Sequence, residues 1–393
     1  ALNDLNRIAF DGTFDAFTGS RGGVINLVDK DDLIVGDTFG FGLHQSGDVT
    51  ITAGGDITIS EPINMGTFST TTLNAGAASI IFNNEVIGNN GADVIFNAGS
   101  YELNASNTII TNGSVTMNGG GIANVNAANF PGIFGRTVDL SPQFVVSNNA
   151  TRFDIEGEVS VNFNSGSSIT TDDTDVRVRA NRFGFESGDF NGITLNSSAV
   201  TTTGAGNIDI LAVGGDQSVN NGISLNNSSL NSSTGTGTLT VNGTAGAGPQ
   251  GNRGIALSNS TIQSQTAPVS ITGTGGGTGG SNMGVLIDNG SLVQSIGTAD
   301  IQISGTGSSS ATLNGSEGIE LNGTSFVTAS DSGNITLIGT GGAGSTNGLR
   351  LNQNSAVNTG SGTLNVTAAG MTNGISLLGG SDIFSTDGGA IDR

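Results

Sequence analysis

The feature that most constrains this chain is a glycine-led repeat. A Gly-aliphatic-x-aliphatic start recurs at Gly192, Gly222, Gly254, Gly284, Gly318, Gly348 and Gly374, at intervals of 30, 32, 30, 34, 30 and 26 residues. The copies read GITLNSSAV, GISLNNSSL, GIALSNSTI, GVLIDNGSL, GIELNGTSF, GLRLNQNSAV and GISLLGGSDI. Two aliphatic positions alternate with a solvent position, and a turn of Asn, Ser or Gly then leads to another aliphatic. Period-two alternation bounded by turn formers is strand chemistry. Later in each copy comes a second alternating run, as in Ile208/Ile210, Leu239/Val241 and Ile335/Leu337, followed by a Gly- and Thr-rich connection of variable length such as GTAGAGPQGNR. Fixed strands with variable loops on one corner are what a coil tolerates, because length changes there leave inward registration undisturbed.

Each copy offers three short strands separated by corners of Gly and Asn that can take positive φ. The sequence therefore predicts an all-β fold: a right-handed parallel β-helix, a single solenoid of three-strand coils of about 30 residues. Ile193, Leu195, Ile223, Leu225, Ile255, Leu257, Ile319 and Leu321 are expected to point inward. Asn196, Asn226, Asn259, Asn289, Asn322 and Asn352 are expected along one corner, with amides bonding up and down the stack. The first half follows the same grammar less regularly, as in GDVTITAGGDITIS at 47–60 and FDIEGEVSVNFNSGSSIT at 153–170. Residues 1–46 differ, with Phe10, Phe14, Phe17, Phe39, Phe41 and the run Asp29-Lys30-Asp31-Asp32. The expected organisation is an atypical amino-terminal cap or first coils over 1–46, irregular coils over 47–190 and regular repeats over 191–393.

Composition agrees with a solenoid. Gly supplies 66 of 393 residues, and only 35% is apolar and 11% charged, too little for a large compact core. Coils need few inward aliphatics each, and stacking makes their core continuous. A formal charge of −21 with one lysine, Lys30, leaves no basic face for a phosphate backbone, so nucleic acid is an unsuitable partner. Of the 32 acids 22 precede Val200, which leaves the second half covered mainly in hydroxyls and amides. No Cys occurs, which removes disulfides and thiolate chemistry together. The start, Ala1-Leu2-Asn3-Asp4, reads as neither a signal peptide nor a membrane span, consistent with a mature or excised segment.

With GDVTITAGGDITIS and the Gly-Asn-Ser-Thr coils on the page, most of the chain resembles the filamentous haemagglutinin-like large exoproteins of bacteria, particularly the long cyanobacterial ones. The resemblance implies a right-handed β-helix, export through the outer membrane by a dedicated pore partner, and a role in adhesion or aggregation. The Asn-Pro-Asn motifs of that family's secretion domain are missing, since no Asn-Pro dipeptide exists here, so the resemblance is to the repeat shaft.

A β-helix can also carry polysaccharide hydrolases and lyases, and hydrolysis by paired carboxylates needs two acids in one groove. The densest acidic cluster outside the amino-terminal region is Asp172, Asp173 and Asp175, followed by Arg177, Arg179 and Arg182. Asp175, Arg177 and Arg179 share one face of an alternating strand, which favours a ladder of surface ion pairs. His44 is the only histidine, expected in a loop near Gln45 and Ser46, so no His relay can be built. Asp172 or Asp29 offers the best corner for calcium, without the repeated nonapeptides of calcium-binding rolls. With no Trp and one Tyr, and with Phe153, Phe163 and Phe185 expected to stack in the core, sugar binding through aromatics is disfavoured. Thr50 and Thr52 suggest ice binding but do not recur as an unbroken ladder. No catalytic, cofactor or metal residues are assigned. The expected function is an extracellular structural or adhesive rod of a secreted or cell-surface exoprotein, with a polysaccharide-active enzyme as the alternative. Expected partners are further copies joined head to tail into fibres, and surface glycans or cell receptors.

Overall fold

β-Branched and aliphatic residues at every second position commit this chain to strands, and its corners decide how those strands stack. The computed structural model describes residues 8–10, 17–19, 25–35, 43–45, 47–88, 91–105, 109–126, 132–147, 150–217, 219–232, 234–344, 347–371 and 373–392. These hold 42 strands and no helix, hence none long and apolar enough to cross a membrane. The strands pair in parallel with the equivalent strand of the next coil, which is the arrangement of a parallel β-helix solenoid. The chain divides into two units, 1–174 and 175–393.

In the second unit every regular coil has three strands, as in Ile193–Asn196, Ala199–Thr202 and Ile208–Val213. Ile193 registers on Ile223, Val200 on Leu230 and Ile208 on Leu239. All eight aliphatics expected inward, from Ile193 to Leu321, are fully buried. At the corner after the first strand, coil-to-coil contacts here span 30 to 34 residues and fall to 26 in the last coil.

The first unit keeps three strands per coil in a shorter repeat. Most of its coil-to-coil contacts span 21 to 24 residues rather than about 30. The long Gly- and Thr-rich connection is replaced there by turns as short as 66–69, between Ile63–Met65 and Thr70–Asn74. Val49, Thr71, Val94, Val115, Val138 and Val161 fill one inward column. Aromatic pairs widen the core: Phe82 meets Phe96 edge-on with centroids 5.1 Å apart, and Phe144 lies 5.5 Å from Phe153. Tyr101 is buried among them with its hydroxyl between the carbonyl oxygens of Phe96 and Asn118, and burial raises its pKa. His44 lies in the strand Leu43–Gln45 rather than in a loop; the side chains of Phe10, Phe14, Phe17, Phe39 and Phe41 lie outside the described residues.

Corner chemistry differs from expectation in two instructive ways. The expected asparagine column is two columns. Strand register aligns Asn196 with Asn226, Ser258 and Asp288, whereas Asn259 and Asn289 belong one residue later, with Ser197 and Asn227. Ser197, Asn227, Asn259 and Asn289 all have φ between 47° and 54°, the left-handed conformation that asparagine tolerates best among non-glycine residues. Amide bonds along the stack do form, from Asn226 to Asn196 at 3.2 Å and from Asn259 to Asn227 at 2.6 Å.

The opening glycine of the repeat, in turn, is required by space and not by backbone angle, since Gly254, Gly284 and Gly318 lack positive φ. A Cβ on Gly273 would sit 2.1 Å from the carbonyl oxygen of Gly284, and one on Gly305 equally close to that of Gly318. Two glycine columns thus let the end of the third strand meet the start of the next coil's first strand.

Beneath the asparagine corner runs a ladder of buried serines that alternation alone does not predict. Ser228 Oγ donates to the Asn226 carbonyl of its own coil at 2.8 Å and accepts the Ser198 amide of the coil before at 3.1 Å. Ser260, Ser291, Ser325 and Ser355 repeat both bonds. Each hydroxyl joins two coils where the backbone turns away from its ladder, satisfying groups that are costly to leave unpaired. A second device serves the next corner, where the Asn207 amide donates to Asp175 Oδ1 and the Thr238 amide to Asn207 Oδ1, both at 2.8 Å.

Two substitutions separate core from ladder. Ile255→Ala removes fully buried volume and is expected to cost about 2–5 kcal/mol. Ser260→Ala leaves the buried Ser228 amide without an acceptor and is expected to cost about 1–3 kcal/mol, with faster hydrogen exchange at Ser228. The outward Ser270→Ala serves as the control, within about 0.5 kcal/mol of the parent. Equal stability of the serine variants in denaturant titration would remove the ladder from the account.

Candidate functional site

The acids singled out from the sequence are dispersed in role. Asp172 and Asp173 are exposed in a turn closing the first unit. Asp175 opens the second with its carboxylate on the Asn207 amide and side chain, each at 2.8 Å. Asp175, Arg177 and Arg179 alternate outward on Asp175–Ala180 as expected, and Arg179 pairs with Asp209 on the next coil at 3.0 Å. Asp29 is buried and accepts the Asp31 amide at 3.2 Å. Among the described residues, no group of three or more His, Asp or Glu side chains is placed to hold a metal ion.

The most perturbed chemistry lies elsewhere, on the outward face of the first strands of the second unit. The central residue of the Gly-aliphatic-x-aliphatic motif, expected in solvent, is buried in several coils. Register places Ser224, Ala256, Leu286, Glu320 and Arg350 in this column, and Ser224, Leu286 and Glu320 are buried. The residue before the opening glycine forms a neighbouring column, in which Met283 and Glu317 are also buried. Apolar Met283 and Leu286 therefore adjoin a group of charges. Arg350 Nη1 stands 3.6 Å from Glu317 Oε1 and 3.7 Å from Glu320 Oε1. Asn347 donates to Glu317 Oε1 at 3.3 Å, and Asn322 to Asp288 Oδ1 at 3.0 Å.

Glu317 Oε2, Glu320 Oε2, Arg253 Nε and Arg350 Nε are buried without a hydrogen-bond partner among the described residues. Loss of water, reinforced by the Glu317 and Asp288 carboxylates and opposed by Arg350 and Arg253, pushes the Glu320 carboxyl up to about 7. Burial lowers the Arg253 guanidinium against the pull of Glu320 and Asp288. A carboxyl that titrates near neutrality beside a second carboxyl has the electronic character of a general acid. Access decides its use: the Glu317 and Glu320 side chains are only 2% and 7% exposed, which closes both to a polymer. What the arrangement can do is hold a proton.

This cluster was missed because each member, read singly, occupies a solvent position of the repeat. The available signal was that Arg253 and Glu317 share the position before the opening glycine, Glu320 and Arg350 share the third motif position, and Asp288 lies two residues beyond that position, all in a nearly uncharged half.

The aromatic expectation also needs correcting. Phe153 and Phe163 are core residues, but Phe185 is 84% exposed and stacks on Phe183, itself 64% exposed, with centroids 5.6 Å apart and planes 23° apart. The strand Asp175–Ala180 ends just before Asn181, whose φ of 41° turns the chain outward before the alternation can bring Phe185 into the core. The Arg182 guanidinium lies 4.5 Å from the Phe183 ring centre. A further polar groove is lined by Gln294, Thr328, Asn358, Asp331 and Asp387.

No protein family, curated protein or solved structure matches this chain.

The raised Glu320 carboxyl has a signed consequence. Between its ordinary value of 4.5 and about 7 the folded state keeps a proton that the unfolded state releases. Its contribution is therefore intact below about pH 4.5 and is lost as pH rises, by on the order of 3 kcal/mol once pH passes about 7. Denaturant titrations of the parent and Glu320→Gln from pH 4.5 to 8 should diverge in favour of the variant as pH rises. A constant difference across that range would contradict this assignment.

Proposed function

We propose that this chain is a structural or adhesive β-helix segment of a bacterial secreted or cell-surface exoprotein, similar in kind to the filamentous haemagglutinin-like shafts that its coils resemble. The observation that carries the reading is the corner ladders, in which buried Ser and partly buried Asn or Asp side chains join successive coils. Such ladders stiffen a scaffold and leave its outward faces free for display. Those faces are largely hydroxyl and amide, as in the exposed column Thr244, Thr274, Thr306 and Thr340. Adhesion, aggregation and head-to-tail fibre formation use such a scaffold, with surface glycans or cell receptors as partners. A polysaccharide-active enzyme is less well supported, because Glu320, the carboxyl raised toward neutrality, and its neighbour Glu317 are both shut away from solvent.

Displaying the chain on a non-adherent bacterium provides the test. Increased settling of cells from suspension or retention on a surface, relative to cells displaying an unrelated β-helix, is the expected outcome. Behaviour equal to that control would reject the adhesive reading, and turnover of a polysaccharide that is lost on Asp173→Asn or Glu320→Gln would install the enzymatic one.

A further inference from the structure

The corner that follows Asp175–Ala180 is unlike the others of the second unit. Its residues 181–191 read NRFGFESGDFN, where later coils place AGAGPQGN at 245–252 and GGGTGGSN at 275–282. Phe183, Phe185 and Phe190 lie here, and the remaining phenylalanines of 175–393 are Phe326 and Phe384. Large apolar side chains have thus been placed on one corner, and two of them stand in solvent.

They are held there. Asn181 is buried, and its side chain clamps the loop from both sides, donating to the Glu186 carbonyl at 3.1 Å and accepting the Glu186 amide at 3.1 Å. The Gly184 amide donates to the Asn181 carbonyl at 2.8 Å, and φ of +66° at Gly184 completes the tight turn. Further along, the Gly188 amide donates to Asp216 Oδ1 at 2.9 Å, and the Gly215 amide to the Phe190 carbonyl at 2.9 Å. A loop fixed at both ends cannot fold its rings back onto the coil. Phe183 and Phe185 are a preformed, stacked apolar pair with the Arg182 guanidinium over the Phe183 ring, which leaves Phe185, 84% exposed, as the more open ring.

Charge selects the occupant. A nucleic acid or an anionic lipid surface would meet a chain of net charge −21, with exposed Asp189 on the same loop. A second copy would bring the same charges. An acidic polysaccharide is opposed for the same reason. A neutral sugar ring has no such penalty: its C–H face covers the exposed Phe185 ring, while its rim hydroxyls can donate to the exposed carboxylate of Asp189. The rings supply area at low entropic cost, since they are already ordered.

We infer that Phe183 and Phe185, carried on the Asn181-clamped loop with Arg182 stacked over Phe183, form a binding site for neutral polysaccharide. This inference rests on the adhesive reading and names the class of partner for it.

Affinity electrophoresis of the whole chain through native gels containing dextran, galactomannan or xyloglucan, with polygalacturonate and alginate gels alongside, tests it. The parent is expected to be retarded in at least one neutral gel and in neither acidic gel. The Phe183→Ala/Phe185→Ala variant should lose at least tenfold in apparent affinity with unchanged circular dichroism and melting, while Phe183→Tyr/Phe185→Tyr should keep its retardation. No retardation of the parent in any neutral gel, or retardation equal in the alanine variant, would overturn the site. Cells displaying the alanine variant separate the two claims. Adhesion retained by them leaves the adhesive reading standing through another contact, whereas adhesion absent even from the parent removes that reading alone.

Discussion

A stack of parallel coils depends first on what happens where the backbone leaves one sheet for the next. Along strands, amides and carbonyls pair with the neighbouring coil automatically. At the corners they turn away from that ladder, and a buried amide without a partner costs about as much as a lost hydrogen bond. The second unit meets this with side chains that repeat once per coil. Ser228, Ser260, Ser291, Ser325 and Ser355 each donate within their own coil and accept from the coil before. Serine suits the task because one small hydroxyl supplies a donor and two acceptor sites in a space that admits little else. The inward aliphatics can hold their columns only because the corners hold the register.

The part of the fold legible in the sequence was the part governed by period-two alternation. Ile193, Leu195 and their successors are inward because each lies two residues from another apolar residue, and strand geometry leaves no other arrangement. Column assignment at the corner was less legible. A turn that admits either Asn or Ser at successive positions, as in Asn226-Asn227-Ser228 and Ser258-Asn259-Ser260, gives composition without register. Register came from the left-handed residue, Asn227 or Asn259, which separates an outward amide from the inward serine. Coil length in the first unit was hidden for a related reason. Its first strands lack the opening Gly-aliphatic-x-aliphatic signature that marks each copy later, and close backbone approach there falls on glycines at scattered places, as at Gly113 and Gly157.

The charged cluster shows how a repeat misleads when outward is equated with solvated. Leu286 and Glu320 occupy the same column on adjacent coils, and both are buried. A column that accepts leucine at one rung is an apolar environment for the glutamate at the next, so Glu320 takes up a proton far more readily than an exposed carboxyl does. Arg350 compensates Glu317 and Glu320 from one rung further on, at separations too long for hydrogen bonds. Such a site offsets part of the desolvation and retains the remainder as a shifted titration, the usual result when buried charges are paired without full hydrogen bonding.

The aromatic loop at 181–191 follows from the same separation of corner and core. Because register is held by columns within the coil, a connection can lengthen or change composition without disturbing a single inward residue, as the varied spans between coils demonstrate. Apolar residues placed there gain nothing from the core and must be supported locally, which is the work of the Asn181 clamp on Glu186. Two exposed rings add nothing to folding, yet the loop spends a buried asparagine and two backbone bonds on keeping them ordered. That combination of an apolar surface and a dedicated local restraint is what distinguishes a presented surface from an incidental one.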